Sequence, residues 1–128
     1  MDVYKRLEEL DIKLLDPTPK GGIYSTVQPY GGHLLYVSGT APHNKVDENM
    51  CGKLGSEYTI EEGQEASRRC MLNILSNLHH ELGDLNRIKK FVKILGFVAS
   101  APDFYEHPQV INGASQMLKD VFGEEAGL

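Results

Sequence analysis

Residues 59–83, TIEEGQEASRRCMLNILSNLHHELG, decide the fold. Thr59 with Glu62 forms a capping box: the threonine hydroxyl can accept the Glu62 amide proton while the glutamate reaches back. Ile60, Ala66, Cys70, Ile74, Leu78 and Leu82 follow at helical spacing, and Gly83 supplies a C-terminal stop. The stretch predicts a helix of about six turns, whose apolar stripe needs a sheet or a second helix to cover it.

Working outward toward the C-terminus, residues 88–98 change to a period of two. Val92, Ile94, Gly96 and Val98 fall on one face, and Phe91, Leu95 and Phe97 on the other. Apolar residues on both faces predict a central strand. His107-Pro108 opens a second helix, with proline at the first position it tolerates. Val110, Ile111, Ala114, Met117, Leu118, Val121 and Phe122 form its stripe, and Gly123 ends it.

Toward the N-terminus, residues 40–58 are polar and irregular, with room for one short strand. Two β-rich runs, 23–29 and 33–39, are divided by Tyr30-Gly31-Gly32 and read as a hairpin. A connector rich in proline and glycine, 16–22, precedes them. A short helix over 3–10 carries Val3, Leu7 and Leu10 on one side. The expected architecture is α+β, with two helices packed on one face of a small mixed β-sheet. One domain is expected over 1–128, of which 1–19 form the N-terminal helix and connector. So small a sheet covers little of two helices, so self-association or further strands beyond Leu128 are expected.

Composition narrows the function. The 128 residues carry a formal net charge of -5, with 41% hydrophobic and 24% charged residues, which fits a globular domain and disfavours wrapping nucleic acid. An anionic metabolite remains compatible, because one local positive group can hold a carboxylate inside an acidic protein. Two cysteines cannot build a disulfide framework. The N-terminus is charged from its second residue, and the longest apolar run, 94–99, is far short of the roughly 20 residues of a membrane helix. A cytoplasmic protein without membrane contact is expected.

His43, Cys51, Cys70, His79, His80 and His107 contain no metal-ligand spacing, so no metal and no cofactor is expected. Neither a dinucleotide fingerprint, a P-loop nor a nucleophile elbow is present. The carboxylate pairs Glu8-Glu9 and Glu61-Glu62 are read as lying in the first or second turns of helices, where capping and the helix dipole would account for them. The hairpin remains. Ser38-Gly39-Thr40 closes its second strand, a place where hydroxyls and open backbone N–H groups can meet a small ligand.

Taken together, the ordered pieces Gly22-Ile23-Tyr24-Ser25, Leu34-Leu35-Tyr36-Val37-Ser38-Gly39 with Pro42, Thr59-Ile60-Glu61-Glu62-Gly63, the Asn73 turn, Lys90 through Val98, Val110 through Ser115 and Val121-Phe122-Gly123-Glu124 resemble the RidA (YjgF) family. The likeness spans about residues 20–124 and is closest to the chorismate-mutase-like, endoribonuclease L-PSP branch. It implies homotrimers with ligand pockets between subunits and hydrolysis of reactive 2-imino acids to 2-oxo acids and ammonia. Ribonuclease and translation-inhibitor activities are attached to the same family label. Carried over by position, the resemblance makes Tyr24, Ser38, Gly39, Thr40 and Asn112 substrate-binding residues. Thr40 stands where many members have glutamine, and Asn112 faces a neighbouring ligand site. The family arginine that clamps the ligand carboxylate and the glutamate that orients water fall beyond Leu128, leaving the catalytic residues unassigned. Two further readings are a non-catalytic trimeric metabolite-binding module and an endoribonuclease.

Overall fold

The structure is a computed structural model and describes residues 1–43 and 50–128. Helix α1 (Val3–Glu9) starts on Asp2, whose carboxylate accepts the Tyr4 N–H. Strands β1 (Val27–Tyr30) and β2 (Leu34–Val37) pair antiparallel, Val27 opposite Val37 and Tyr30 opposite Leu34. Helix α2 (Ile60–Leu82) is followed by a 3-10 turn over Leu85–Arg87, and helix α3 (His107–Gly127) closes the order. No helix of the described residues is long and apolar enough to cross a membrane.

The hairpin turns where the glycines predict it. Gly31 and Gly32 both have positive φ, +67° and +83°, a conformation that side chains resist. The strands are shorter than 23–29 and 33–39, and Tyr30 belongs to β1 rather than to the turn. Residues 21–24 are used instead in a bend that Gly21 N–H closes on the Tyr24 hydroxyl at 3.2 Å.

Helix α2 begins at the predicted cap, with Glu62 N–H on Thr59 Oγ1 at 3.2 Å, and ends on Gly83 in the left-handed region. Its buried face differs from the predicted stripe. Gly63, Ser67, Met71, Asn73, Leu75, Ser76, Asn77 and Leu78 are inside, whereas Ile60, Ala66, Cys70, Ile74 and Leu82 are half-buried. The polar members have partners that sequence spacing cannot show. Ser76 Oγ accepts Leu15 N–H at 2.9 Å, and Asn77 Oδ1 accepts Thr18 N–H at 3.0 Å, so the N-terminal connector is laid along α2 by hydrogen bonds. A buried hydroxyl or amide is stable only when satisfied in this way.

Helix α3 crosses α2 closely, because Gly63 and Gly113 lack side chains at the crossing. A Cβ on Gly113 would stand 2.8 Å from the carbonyl carbon of Gln64. Ser67 fills the remaining space: its hydroxyl lies 2.6 Å from the Val110 carbonyl and accepts Ala114 N–H at 3.1 Å. Gly123 (φ 83°, ψ 171°) breaks α3 as predicted, but one more helical turn follows it. The main core joins Val3 and Leu7 of α1, Val27 of β1, Met71, Leu75 and Leu78 of α2, and Ala114, Met117, Leu118, Val121 and Phe122 of α3.

Residues 88–98 depart most from expectation. They are extended, but no ladder of hydrogen bonds joins them to the hairpin among the described residues. Phe91 N–H bonds the Ala126 carbonyl, and Phe91 stacks edge-on against Phe122 with centroids 4.9 Å apart. Ile94 packs on the main core and Val98 on a satellite cluster of Leu54, Phe104 and Val110. Val92 (83%), Leu95 (69%) and Phe97 (89%) are exposed. A strand is defined by its neighbour, and alternation of side chains supplies none. Among the described residues the parallel component of the mixed sheet is limited to bridges at Leu54, one of them with Ser100. The α+β class holds.

Candidate functional site

The end of β2 is fixed from three directions. Ser38 N–H bonds the Thr26 carbonyl at 2.9 Å, and Ser38 Oγ donates to the Ser25 carbonyl at 2.6 Å. Thr40 Oγ1 donates to the Cys70 carbonyl at 3.0 Å, fastening the loop to the middle of α2. One turn further along α2, Asn73 Nδ2 donates to both the Ala41 and the His43 carbonyls, at 2.9 and 3.0 Å. The hairpin end therefore takes its position from α2 rather than from its own short ladder.

These bonds decide what the site can offer. Ser38 and Thr40 spend their protons on carbonyls and keep oxygen lone pairs as acceptors. Tyr24 accepts from Gly21 N–H, so its own proton remains available as a donor. Gly39 is exposed, and no hydrogen bond among the described residues uses its N–H. The segments flanking the hairpin thus carry two neutral donors, on Tyr24 and Gly39, and two acceptors, on Ser38 and Thr40. Next to it, burial pushes the Cys70 thiol up to about 11, against a smaller opposing effect of the Thr40 hydrogen bond. Cys70 is thus a packing residue, protonated at neutral pH.

Asn112 is exposed on α3, which packs chiefly against α2. Ser38, Gly39 and Thr40 follow β2, Tyr24 precedes β1, and Asn112 lies on α3. The arginines are all turned to other partners. Arg6 Nε donates to the Asp120 carbonyl at 2.7 Å, Arg68 faces Glu65, Arg69 reaches Met50 Sδ, and Arg87 caps the Leu82 carbonyl. Among the described residues no group of three or more His, Cys, Asp or Glu could hold a metal ion. Asn73, noted in the sequence only as part of the family resemblance and given no site role there, holds the loop. The available signal was a fully polar side chain in the middle of an amphipathic helix, buried with its neighbours Ser76 and Asn77.

A family model described as "YjgF/chorismate mutase-like, putative endoribonuclease" matches residues 12–128. The chain belongs to the YjgF/chorismate mutase-like family. A curated relative, Protein TCP17 of Trypanosoma cruzi, is 48% identical over 96 residues, which is 75% of this chain and 60% of that protein. The match spans about three-fifths of the curated relative's length. Among solved structures, a "putative endoribonuclease" from Shewanella oneidensis MR-1 superimposes with a TM-score of 0.91 at 32% identity, covering 100% of this chain and 83% of that one. A protein of unknown function from Agrobacterium tumefaciens gives a TM-score of 0.80 at 36% identity, covering 96% and 74%. The fold described above is thus shared with both of these structures over nearly the whole chain.

Proposed function

We propose that this YjgF-like chain binds small 2-imino or 2-oxo acids at the end of β2 and, in its working assembly, hydrolyses the imino acids to 2-oxo acids and ammonia. The observation that supports this most is the neutral donor–acceptor set of Tyr24, Ser38, Gly39 and Thr40, fixed to α2 and open to solvent. The Gly39 N–H and the Tyr24 hydroxyl suit a carboxylate or carbonyl oxygen, and the Ser38 and Thr40 oxygens suit an imine N–H. Orientation of the ligand and of one water supplies most of the effect, because such imines already hydrolyse in water. In the homotrimer that we propose, Asn112 of one subunit faces the hairpin of another. The exposed side chains of Val92, Leu95 and Phe97 on an unladdered extended segment support association of this kind.

The test is loss of a 2-imino acid generated in place by an amino-acid oxidase, followed as ammonia release. Ser38→Ala and Tyr24→Phe should each lower turnover while leaving the thermal midpoint in place. Equal rates in all three proteins would remove these residues from the mechanism.

A second reading, a binding module without catalysis, is favoured by one feature. Among the described residues no carboxylate or imidazole hydrogen-bonds Tyr24, Ser38 or Thr40, whose partners there are backbone groups. Saturable binding of a 2-oxo acid without ammonia release would select it. The ribonuclease reading is disfavoured by the net charge of -5, and RNA cleavage abolished by Ser38→Ala would revive it.

A further inference from the structure

We propose that Asn73 is a positioning residue that sets the charge selectivity of the loop after β2, by turning two loop carbonyls into α2 and away from an anionic ligand. This role rests on the reading of that loop as a carboxylate site. It goes beyond that reading in naming a buried side chain, remote from the ligand, that makes the loop fit an anion.

The loop has an excess of acceptors. Pro42 has no N–H, so the peptide unit between Ala41 and Pro42 offers a carbonyl alone. Backbone N–H groups attract an anion, whereas a carbonyl oxygen carries the same sign of partial charge and repels it. Turned to solvent beside the exposed Gly39, the Ala41 and His43 carbonyls would oppose what the Gly39 N–H offers.

Asn73 withdraws both. Its Nδ2 donates to the Ala41 carbonyl at 2.9 Å and to the His43 carbonyl at 3.0 Å. Three residues earlier on the same side of α2, the Cys70 carbonyl accepts the Thr40 hydroxyl at 3.0 Å. Thr40, Ala41 and His43 are thus each tied to one turn of helix. Gly39, just before them, stays exposed.

The residue type matters. Two carbonyls held by one short side chain need two donors, which an amide NH2 supplies and a carboxylate of the same shape does not. Asn73 is 1% exposed, so a failure to satisfy those carbonyls has no remedy from water at that point. The other buried polar side chains of α2 serve different segments. Ser67 joins α2 to α3 through Val110 and Ala114, while Ser76 and Asn77 hold the N-terminal connector at Leu15 and Thr18.

The test is calorimetric titration of the intact chain with pyruvate and with its uncharged methyl ester. The parent should bind pyruvate more tightly than the ester. Asn73→Ala and Asn73→Asp should each weaken pyruvate by about fivefold, the scale of one hydrogen bond, and leave the ester nearly unchanged, so that the preference collapses. Asn73→Asp should regain part of the preference in mild acid, because burial raises its carboxyl pKa and the protonated acid recovers one donor. That variant also carries the test if Asn73→Ala does not fold. Ser67→Ala removes buried hydrogen bonds of the same helix at a site away from the loop, and should lower the thermal midpoint without changing the pyruvate-to-ester ratio. A ratio unchanged in the Asn73 variants, or one that falls equally in Ser67→Ala, would overturn the role and leave Asn73 a structural residue. Equal affinity of the parent for acid and ester would also overturn it. No binding of pyruvate by the parent would overturn the carboxylate reading itself, and this role with it.

Discussion

Gly113→Ala opposes two effects of known size at one position. In a helix interior, alanine is better than glycine by about 1 kcal/mol, so propensity alone predicts a stabilised protein. The crossing with α2 predicts the opposite. A Cβ at residue 113 would press into the backbone carbonyl of Gln64 and the hydroxyl of Ser67, and a backbone group cannot rotate away. Overpacking of this kind costs about 1–3 kcal/mol. Separating the helices also stretches the Ser67 contacts to Val110 and Ala114, each worth about 1 kcal/mol. The balance is a net loss of about 2–4 kcal/mol, or on the order of 10 °C in thermal midpoint for a chain of this size. Urea unfolding by circular dichroism should show a lower midpoint with an unchanged slope. Adding Ser67→Ala should restore less than the full loss, because the Gln64 carbonyl still blocks the methyl group, and the pair should be non-additive. A midpoint equal to or above that of the parent would refute the close crossing.

The remaining expectations concern the loop and the cysteines. Asn73→Ala leaves the Ala41 and His43 carbonyls without their buried donor and should cost about 1–3 kcal/mol. Amide exchange at residues 40–43 should accelerate more than exchange in α3, and equal acceleration everywhere would count against a local anchor. Burial holds the Cys70 thiol at about 11, so its thiolate fraction stays small until the pH approaches that value. Cys51 is exposed. Iodoacetamide on the native chain at mildly alkaline pH should therefore label Cys51 and spare Cys70, with both labelled after denaturation. Labelling of Cys70 at the same rate as Cys51 would show that the region between Thr40 and α2 opens readily.

Much of the architecture was legible because it is local. The Thr59–Glu62 cap, Gly83 after α2, Pro108 at the start of α3, Gly123 near its end and the Gly31-Gly32 turn each act within a few residues of their own positions. The candidate site was legible only in part. Ser38-Gly39-Thr40 could be placed at a strand end, but which atoms stay available depended on Ser25, Cys70 and Gly21, partners unreachable by spacing. The buried face of α2 differs from the predicted stripe for the same reason. Ser67, Ser76 and Asn77 look like solvent residues until Val110, Leu15 and Thr18 arrive to satisfy them.

By itself the sequence determined the helices, their caps, the hairpin and the α+β class, since propensity and periodicity are properties of a continuous stretch. Only the tertiary structure decided that residues 88–98 remain without a ladder among the described residues, that α2 and α3 touch at Gly113, and that Thr40 and Asn73 fasten the end of the hairpin to α2. Each of those depends on a donor, an acceptor or a surface from a distant part of the chain, and local sequence carries no information about which one will be there.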